Sequence, residues 1–289
     1  MKEKQSIILS ELIPPNINIK EILAPFQYLK QMTERMQLFQ TSFSKNLVEI
    51  NKSLSLLNGL KLKAFDYPLQ DFTNQISYVG KLIKENSEKM PQSLLLLAQY
   101  GWYLDFDSEI WLPNKLSKLL EENEIKKVDD YLIDYYSSNL DRFFKEISDQ
   151  YPHRKTILNE ILSSHKLKMY YVSVPSLLAQ VDGICHDTTT KKFFLKVKKN
   201  KWLPEVAEEL SNISNSVVEM FLSPVLNYTP INACESDLDK YPVHLNRHEI
   251  LHGVDLTYGV EKNSLKCLSL LKYFSDILSN LENEREVSQ

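Results

Sequence analysis

Glycine is scarce, with six among 289 residues. Neither G-x-G-x-x-G nor G-x-x-x-x-G-K-[ST] occurs, so no dinucleotide-binding or P-loop site is expected. All-β folds, which lean on glycine at their turns, are disfavoured as well. Cysteine is as sparse: Cys185, Cys234 and Cys267 lie far apart and no C-x-x-C is present. An odd, scattered set reads as reduced, mostly buried thiols of a cytosolic protein. Long hydrophobic runs are missing. The amino-terminal MKEKQSIILSELIPP has a short apolar run, but Glu11 interrupts it and no small-residue cleavage site follows, so a signal peptide is not expected. No stretch approaches the roughly 18 apolar residues of a spanning helix, and a soluble cytoplasmic protein is the expectation. No charge sign dominates. The formal net charge of −4 argues against a generally basic nucleic-acid coat and leaves room for a local patch. Arginine is confined to Arg35, Arg142, Arg154, Arg247 and Arg285.

What the chain does have is apolar periodicity. Its 43% hydrophobic residues suffice for a core, in one large domain or two ordinary ones. From Ile22 to Leu60 apolar residues recur every three or four positions, which predicts a long helix or helical hairpin with a core-facing stripe, and leaves a coiled-coil seam open. A helix over 66–90 follows, then QSLLLLAQYGWYLDFD, a short buried helix ending near Gly101. Trp102 and Tyr103 read as core. Further helices are predicted at 115–123, 126–147 and 152–168. MYYVSVPSLLAQVDGIC is apolar almost all round, so it belongs at the centre of a bundle, with Pro175 kinking it or marking its first turn. Residues 187–202 break the pattern, with a brief alternation that could be a short strand. A helix over 204–222 and a loop over 223–240 follow. Pro242 suits the first turn of a helix that ends at Gly253. The last helix shows one clean apolar face, from Leu265 to Leu281. The fold class is all-α, a multi-helix bundle. A boundary near residue 150 would separate an N-terminal helical region, 1–150, for dimerisation or partner binding, from a C-terminal helical domain, 151–289.

Two site patterns overlap in NRHEILHG, Asn246 to Gly253. From His248 it reads His-Glu-Ile-Leu-His, in which two histidines four apart on a helix can share a zinc ion and the glutamate activates the bound water. His244 extends that stripe. Against zinc, Asp255 and Tyr258 stand where the longer peptidase signature needs glycine and a third histidine. Glu261, Glu282 and Glu284 are poorly placed as a remote ligand, and Gly253 ends the helix directly after His252. From Arg247 the same stretch reads arginine, four residues, His252. Metal-free RNA cleavage needs a proton carrier, which histidine suits, and a cation on the phosphorane, which the arginine fork suits. On a helix the two sit roughly 140° and roughly 7.5 Å apart, so they can converge on a phosphate lying across the helix end. The structural alternative pairs Arg247 with an acid such as Asp182 and leaves His252 as a helix cap. No metal or cofactor is called for under either of the last two readings. The one strong basic cluster is Lys191, Lys192, Lys196, Lys198, Lys199 and Lys201, interleaved with Phe193, Phe194 and Trp202. It reads as an RNA track or as a solvated loop whose rings tuck into the core. Thr257, Tyr258, Asn263 and Ser264 either line the same cleft or cap the last helix.

The segment LNRHEILHGVDLTYGVEKNSLKCLSLLKYFSDIL resembles the C-terminal signature of a bacterial group that pairs an "NRHxxxHG" helix with a "YGTxxNSLK" loop and a Leu-rich helix. YYVSVPSLLAQVDGIC resembles that group's apolar helix, and GWYLDFD and LLEENEIKKVDDYLIDYYSSN are similar too, so the likeness spans roughly 95–280. In its Arg-to-His spacing the group is similar to the HEPN superfamily, small α-bundles that often cut RNA in toxin–antitoxin, CRISPR and abortive-infection systems. The resemblance implies that Arg247 and His252 are catalytic, that Asn246 and His248 flank them, and that Asp182 matches the acid of the apolar helix. It implies a metal-independent endoribonuclease in phage defence or a toxin system. Its partners would be RNA, a second copy of the chain, and an antitoxin or other defence protein; Tyr258 and the lysines would meet the RNA. A non-catalytic helical interaction protein of the same fold is the competing class, with the zinc peptidase third.

Overall fold

The computed structural model describes residues 87–197, 203–211 and 216–287. The periodic segment 22–60, residues 66–86 of the helix expected over 66–90, Lys198, Lys199, Lys201 and Trp202 lie outside them. Eleven α-helices occur among the described residues: α1 (87–99), α2 (Leu112–Glu121), α3 (Ile125–Ser138), α4 (Leu140–Gln150), α5 (Lys155–Lys166), α6 (Tyr170–Thr189), α7 (Ala207–Ser211), α8 (Ser216–Phe221), α9 (Ser223–Leu226), α10 (Arg247–Leu251) and α11 (Glu261–Val287). Short 3-10 turns cover Pro152–Arg154, Pro230–Asn232 and Glu235–Lys240. No strand occurs among the described residues, and the fold is all-α. The alternation after α6 gives only one antiparallel bridge, Lys196 to Pro204, flanked by Val197 N–H to Leu203 O (2.9 Å) and Glu205 N–H to Leu195 O (2.8 Å). No described helix is long and apolar enough to cross a membrane.

Several boundaries differ from the sequence reading for local reasons. The helix expected over 126–147 divides at Asn139, where the backbone leaves helical geometry (φ −106°, ψ 8°) and both the N–H and the side-chain amide donate to the Tyr135 carbonyl, at 3.2 and 2.8 Å. The expected 223–240 loop holds α9 and two 3-10 turns. The helix expected from Pro242 begins only at Arg247, because Asn246 caps it there. One buried cluster runs from Met90 to Leu281, on both sides of residue 150. At its centre α11 packs along α6 and also against α3 and α4.

The two longest of the described helices exchange the roles their patterns suggest. α6 is apolar almost all round, yet Tyr171 and Val172 at its start are exposed. α11, read as one-faced, is buried on every side from Ser264 to Ser275. Its polar face does not meet water; it meets the chain around GWYLDFD. Lys266 Nζ donates to the Tyr100 carbonyl at 2.6 Å and Ser269 Oγ accepts the Tyr103 N–H at 3.2 Å. Lys272 pairs with Asp276 and, at 3.2 Å, with Glu146. The same turn sends Trp102 Nε1 to Asp129 at 2.8 Å, and Trp102 and Tyr103 are core. Burial without charge-neutralising partners is costly, so these ties are what let two lysines enter the core.

Burial brings Lys266 down to about 8 from its ordinary 10.5, with the Asp129 carboxylate opposing the shift. Between those values the unfolded chain holds a proton that the folded chain has released, so this side chain makes folding more favourable as pH rises. Relative to Lys266→Met, unfolding free energy should gain about 3 kcal/mol between pH 8 and 10.5, read from urea melts at several pH values. A difference that is flat with pH contradicts the assignment.

α6 carries Pro175 inside it. Proline has no N–H, so the carbonyl four residues back, on Tyr171, loses its helical donor. Tyr258 Oη donates to that oxygen at 3.2 Å, and Tyr171 Oη in turn donates to the Leu256 carbonyl at 2.9 Å. Gly259 permits the embrace: a Cβ there would lie 2.4 Å from the Tyr171 ring. The loop between α10 and α11 is thereby fastened to α6.

Candidate functional site

α10 is short and held at both ends. Asn246 accepts the His248 and Glu249 N–H groups at 2.9 and 3.2 Å, and its amide donates to the Pro230 and Ala233 carbonyls at 2.7 and 3.0 Å. At the other end Gly253 takes φ +71°, with Gly253 N–H on the Ile250 carbonyl and Val254 N–H on the Glu249 carbonyl. That is the paired closure a left-handed residue permits, and glycine adopts it without strain. Leu245 and Ile250 anchor the turn in the core. Asn246 is therefore committed to shape, with its amide spent on backbone. Asn246→Ala should lower stability by about 2–3 kcal/mol in chemical denaturation, since it removes a cap and two buried tethers. An effect within 0.5 kcal/mol (the scale of an ordinary surface substitution) would contradict this role.

From this frame three side chains project. His248 and His252 are exposed, one turn apart, with ring centroids 4.2 Å from each other. Arg247 is half-buried, and its guanidinium carbon lies 5.1 Å from the Phe194 ring centroid. Its Nε is buried with no hydrogen-bond partner. Asp182, on α6, faces the same place. Its Oδ1 accepts the Phe194 N–H at 2.9 Å, and its pKa is raised by burial, against the pull of that N–H and of the Arg247 charge. Lys192 is exposed and its charge also reaches Asp182; Lys196 is exposed and Lys191 half-buried.

The arrangement differs from a structural ion pair. Arg142 bonds Asp107 at 2.7 Å, Arg154 bonds Asp187 at 2.8 Å and Arg285 bonds Glu209 at 2.6 Å. Among the described arginines Arg247 is the one with no hydrogen-bonded carboxylate; Asp182 acts on it only through space. An arginine held by packing keeps its charge for another anion.

The histidine pattern of a zinc site is assembled differently from its sequence spacing. His244 lies ahead of α10 and its Nε2 pairs with Glu249, which is turned inward and buried. Glu249, the would-be general base, is thus committed to His244. No group of three or more His, Cys, Asp or Glu side chains among the described residues is arranged to hold a metal ion.

Other residues singled out in the sequence resolve into scaffold. Phe193 is buried against Phe274, with ring centroids 4.6 Å apart. Tyr258 serves the Tyr171 carbonyl. Thr257 bonds Asp255, Asn263 donates to the Tyr258 carbonyl at 3.1 Å, and Ser264 is buried between His165 and Ser173, at 2.8 Å from each. His165 is thereby tied to α11, and burial lowers its pKa. His153 lies 2.6 Å from Asp187, the carboxylate that holds Arg154. Phe194 is the contact that spacing could not reveal, since it is 53 positions from Arg247 in the chain. No family model, no curated protein and no solved structure matches the chain.

Proposed function

We propose that the protein is a metal-independent, HEPN-like endoribonuclease. The observation that carries this reading is Arg247: it is the described arginine without a hydrogen-bonded carboxylate, and it extends from the same short helix as two exposed imidazoles. Its terminal nitrogens are suited to the two non-bridging oxygens of a phosphodiester. His252 takes the proton from the ribose 2′-OH, the 2′-oxygen attacks phosphorus, and the bond to the 5′-oxygen breaks. That oxygen receives a proton from a second imidazole, either His248 or the same motif of a second copy. The products are a 2′,3′-cyclic phosphate and a free 5′-hydroxyl, and Arg247 balances the extra charge on the phosphorane. Asp182 orients Arg247, and Lys191, Lys192 and Lys196 give RNA phosphates a nearby approach; Lys198, Lys199 and Lys201 follow them in sequence.

A homodimer fits the surface beside the motif. Leu251, Val254, Leu256 and Val260 are exposed along the loop that Tyr171 fastens to α6, where Met169 and Val172 are exposed too. Apolar residues exposed together support an interaction face there. The same face supports the second reading, a helical interaction protein without catalysis. The setting in phage defence or a toxin system, with an antitoxin or other defence protein as partner, comes from the resemblance of the motif-bearing segments; the cytoplasm comes from the cysteine usage and the lack of a signal or spanning segment in the sequence.

The deciding experiment is incubation of the purified chain with RNA in the presence of EDTA. Cleavage to 2′,3′-cyclic ends, lost in Arg247→Ala and in His252→Ala, is the expected outcome. Intact RNA, with the protein folded, favours the interaction protein; cleavage that needs an added divalent ion contradicts the mechanism.

A further inference from the structure

The geometry points to Phe194 as the positioning residue of Arg247, the group that sets the guanidinium's pose in place of the usual carboxylate. Its effect on catalysis rests on the ribonuclease reading; its effect on Arg247 does not. A long side chain with no hydrogen bond would ordinarily sample many rotamers. Here the guanidinium carbon is 5.1 Å from the Phe194 ring centroid, within reach of the attraction between a cation and a ring face. Nε is covered as well, buried with no acceptor.

The ring can set a pose because it is itself fixed from three directions. Asp182 Oδ1 accepts the Phe194 N–H at 2.9 Å, tying this residue to α6. The preceding ring, Phe193, is buried against Phe274 of α11 and lies 4.8 Å from Phe194, centroid to centroid. The following residue, Leu195, accepts the Glu205 N–H at 2.8 Å, which holds the strip on its far side. Asp182 thus serves Arg247 twice: by its charge, and by holding the backbone that carries the ring. A carboxylate in direct contact would have fixed Arg247 equally well and cancelled its charge. A ring fixes it and leaves the positive charge to a phosphate.

The strip from 191 to 197 also carries Lys191, Lys192 and Lys196. The residue that poses the catalytic cation is therefore in the same stretch of chain as the lysines proposed to meet RNA.

Two readouts test this. The first is the Arg247 Nε–Hε resonance in a proton–nitrogen NMR spectrum, assigned by its loss in Arg247→Lys. In the wild-type chain it should be displaced by the ring current and exchange slowly with water. Phe194→Leu should return it to the position of an exposed arginine and speed exchange at least tenfold, while Phe194→Trp, which keeps a ring face, should retain both features. The second readout is RNA cleavage. Phe194→Leu should lower kcat about tenfold with KM changed less than twofold, and Phe194→Trp should recover most of the rate. A folded Leu variant with an unmoved, slowly exchanging Nε–Hε, or with wild-type kcat, overturns the proposal. Should the Leu variant not fold, Phe194→Trp decides: a resonance at the exposed position overturns it and a displaced one supports it. If the resonance behaves as expected and the wild-type chain cuts no RNA, the positioning stands and the ribonuclease reading falls.

Discussion

Arg247→Lys is expected to lower RNA cleavage by about 10²–10³-fold although it conserves charge, because removal of one preorganised group that stabilises the transition state costs about that much. The ammonium is a compact point charge with no planar fork, so it cannot span two phosphate oxygens. It also loses the guanidinium's contact with the Phe194 ring. His252→Ala should fall at least as far, about 10²–10⁴-fold, since a proton carrier is lost outright. The measurement is the initial rate on a fluorophore-quencher RNA, with EDTA, on variants whose circular dichroism matches the wild type. His252 is exposed and stabilises nothing beyond its own turn, so that variant should fold normally. Wild-type rates in both variants would place the activity elsewhere in the chain or in a contaminant.

Phe193→Ala is expected to cost about 3–5 kcal/mol of folding stability, the range for removing a large buried ring. Phe193 is 1% exposed and packs on Phe274 of the central helix, so little of the cavity can be refilled by movement at the surface. A loss of that size is a large part of a typical domain's total stability. Thermal or urea unfolding reads it directly. If Phe193 instead met an RNA base, the alanine variant would keep its stability and lose affinity, which is the opposite pattern. Its neighbour Phe194 is expected to show the inverse sensitivity, with a modest effect on folding and a clear one on the arginine.

The contrast between those two adjacent rings shows how much was legible in the chain. The all-α class, the stop at Gly253 and the burial of Trp102 and Tyr103 follow from local pattern, because periodicity and glycine act over a few residues. The start of α10 did not follow from Pro242, although Asn246 with Glu249 three positions later was a competing helix-start pattern. The burial of α11 could not be read from its own residues. Lys266 and Lys272 look like a solvated face until the Tyr100 carbonyl and the Glu146 carboxylate are placed against them. At the candidate site the residue types were visible, and the decisive fact was not. Asp182 prefers a backbone N–H to the guanidinium, and a ring from a lysine-rich strip takes the place beside Arg247. Such choices depend on which parts of the chain meet in space.

The proline within α6 has a consequence for the motif that precedes the closing helix. A helix of unbroken amides closes its own ladder and offers neighbours nothing but side chains. Here one rung is open at Tyr171, and a phenol from a distant loop completes it. The segment beside the two imidazoles can therefore be solvent-washed and still stiff, moored by one phenol to a main-chain oxygen that the proline leaves without its helical donor.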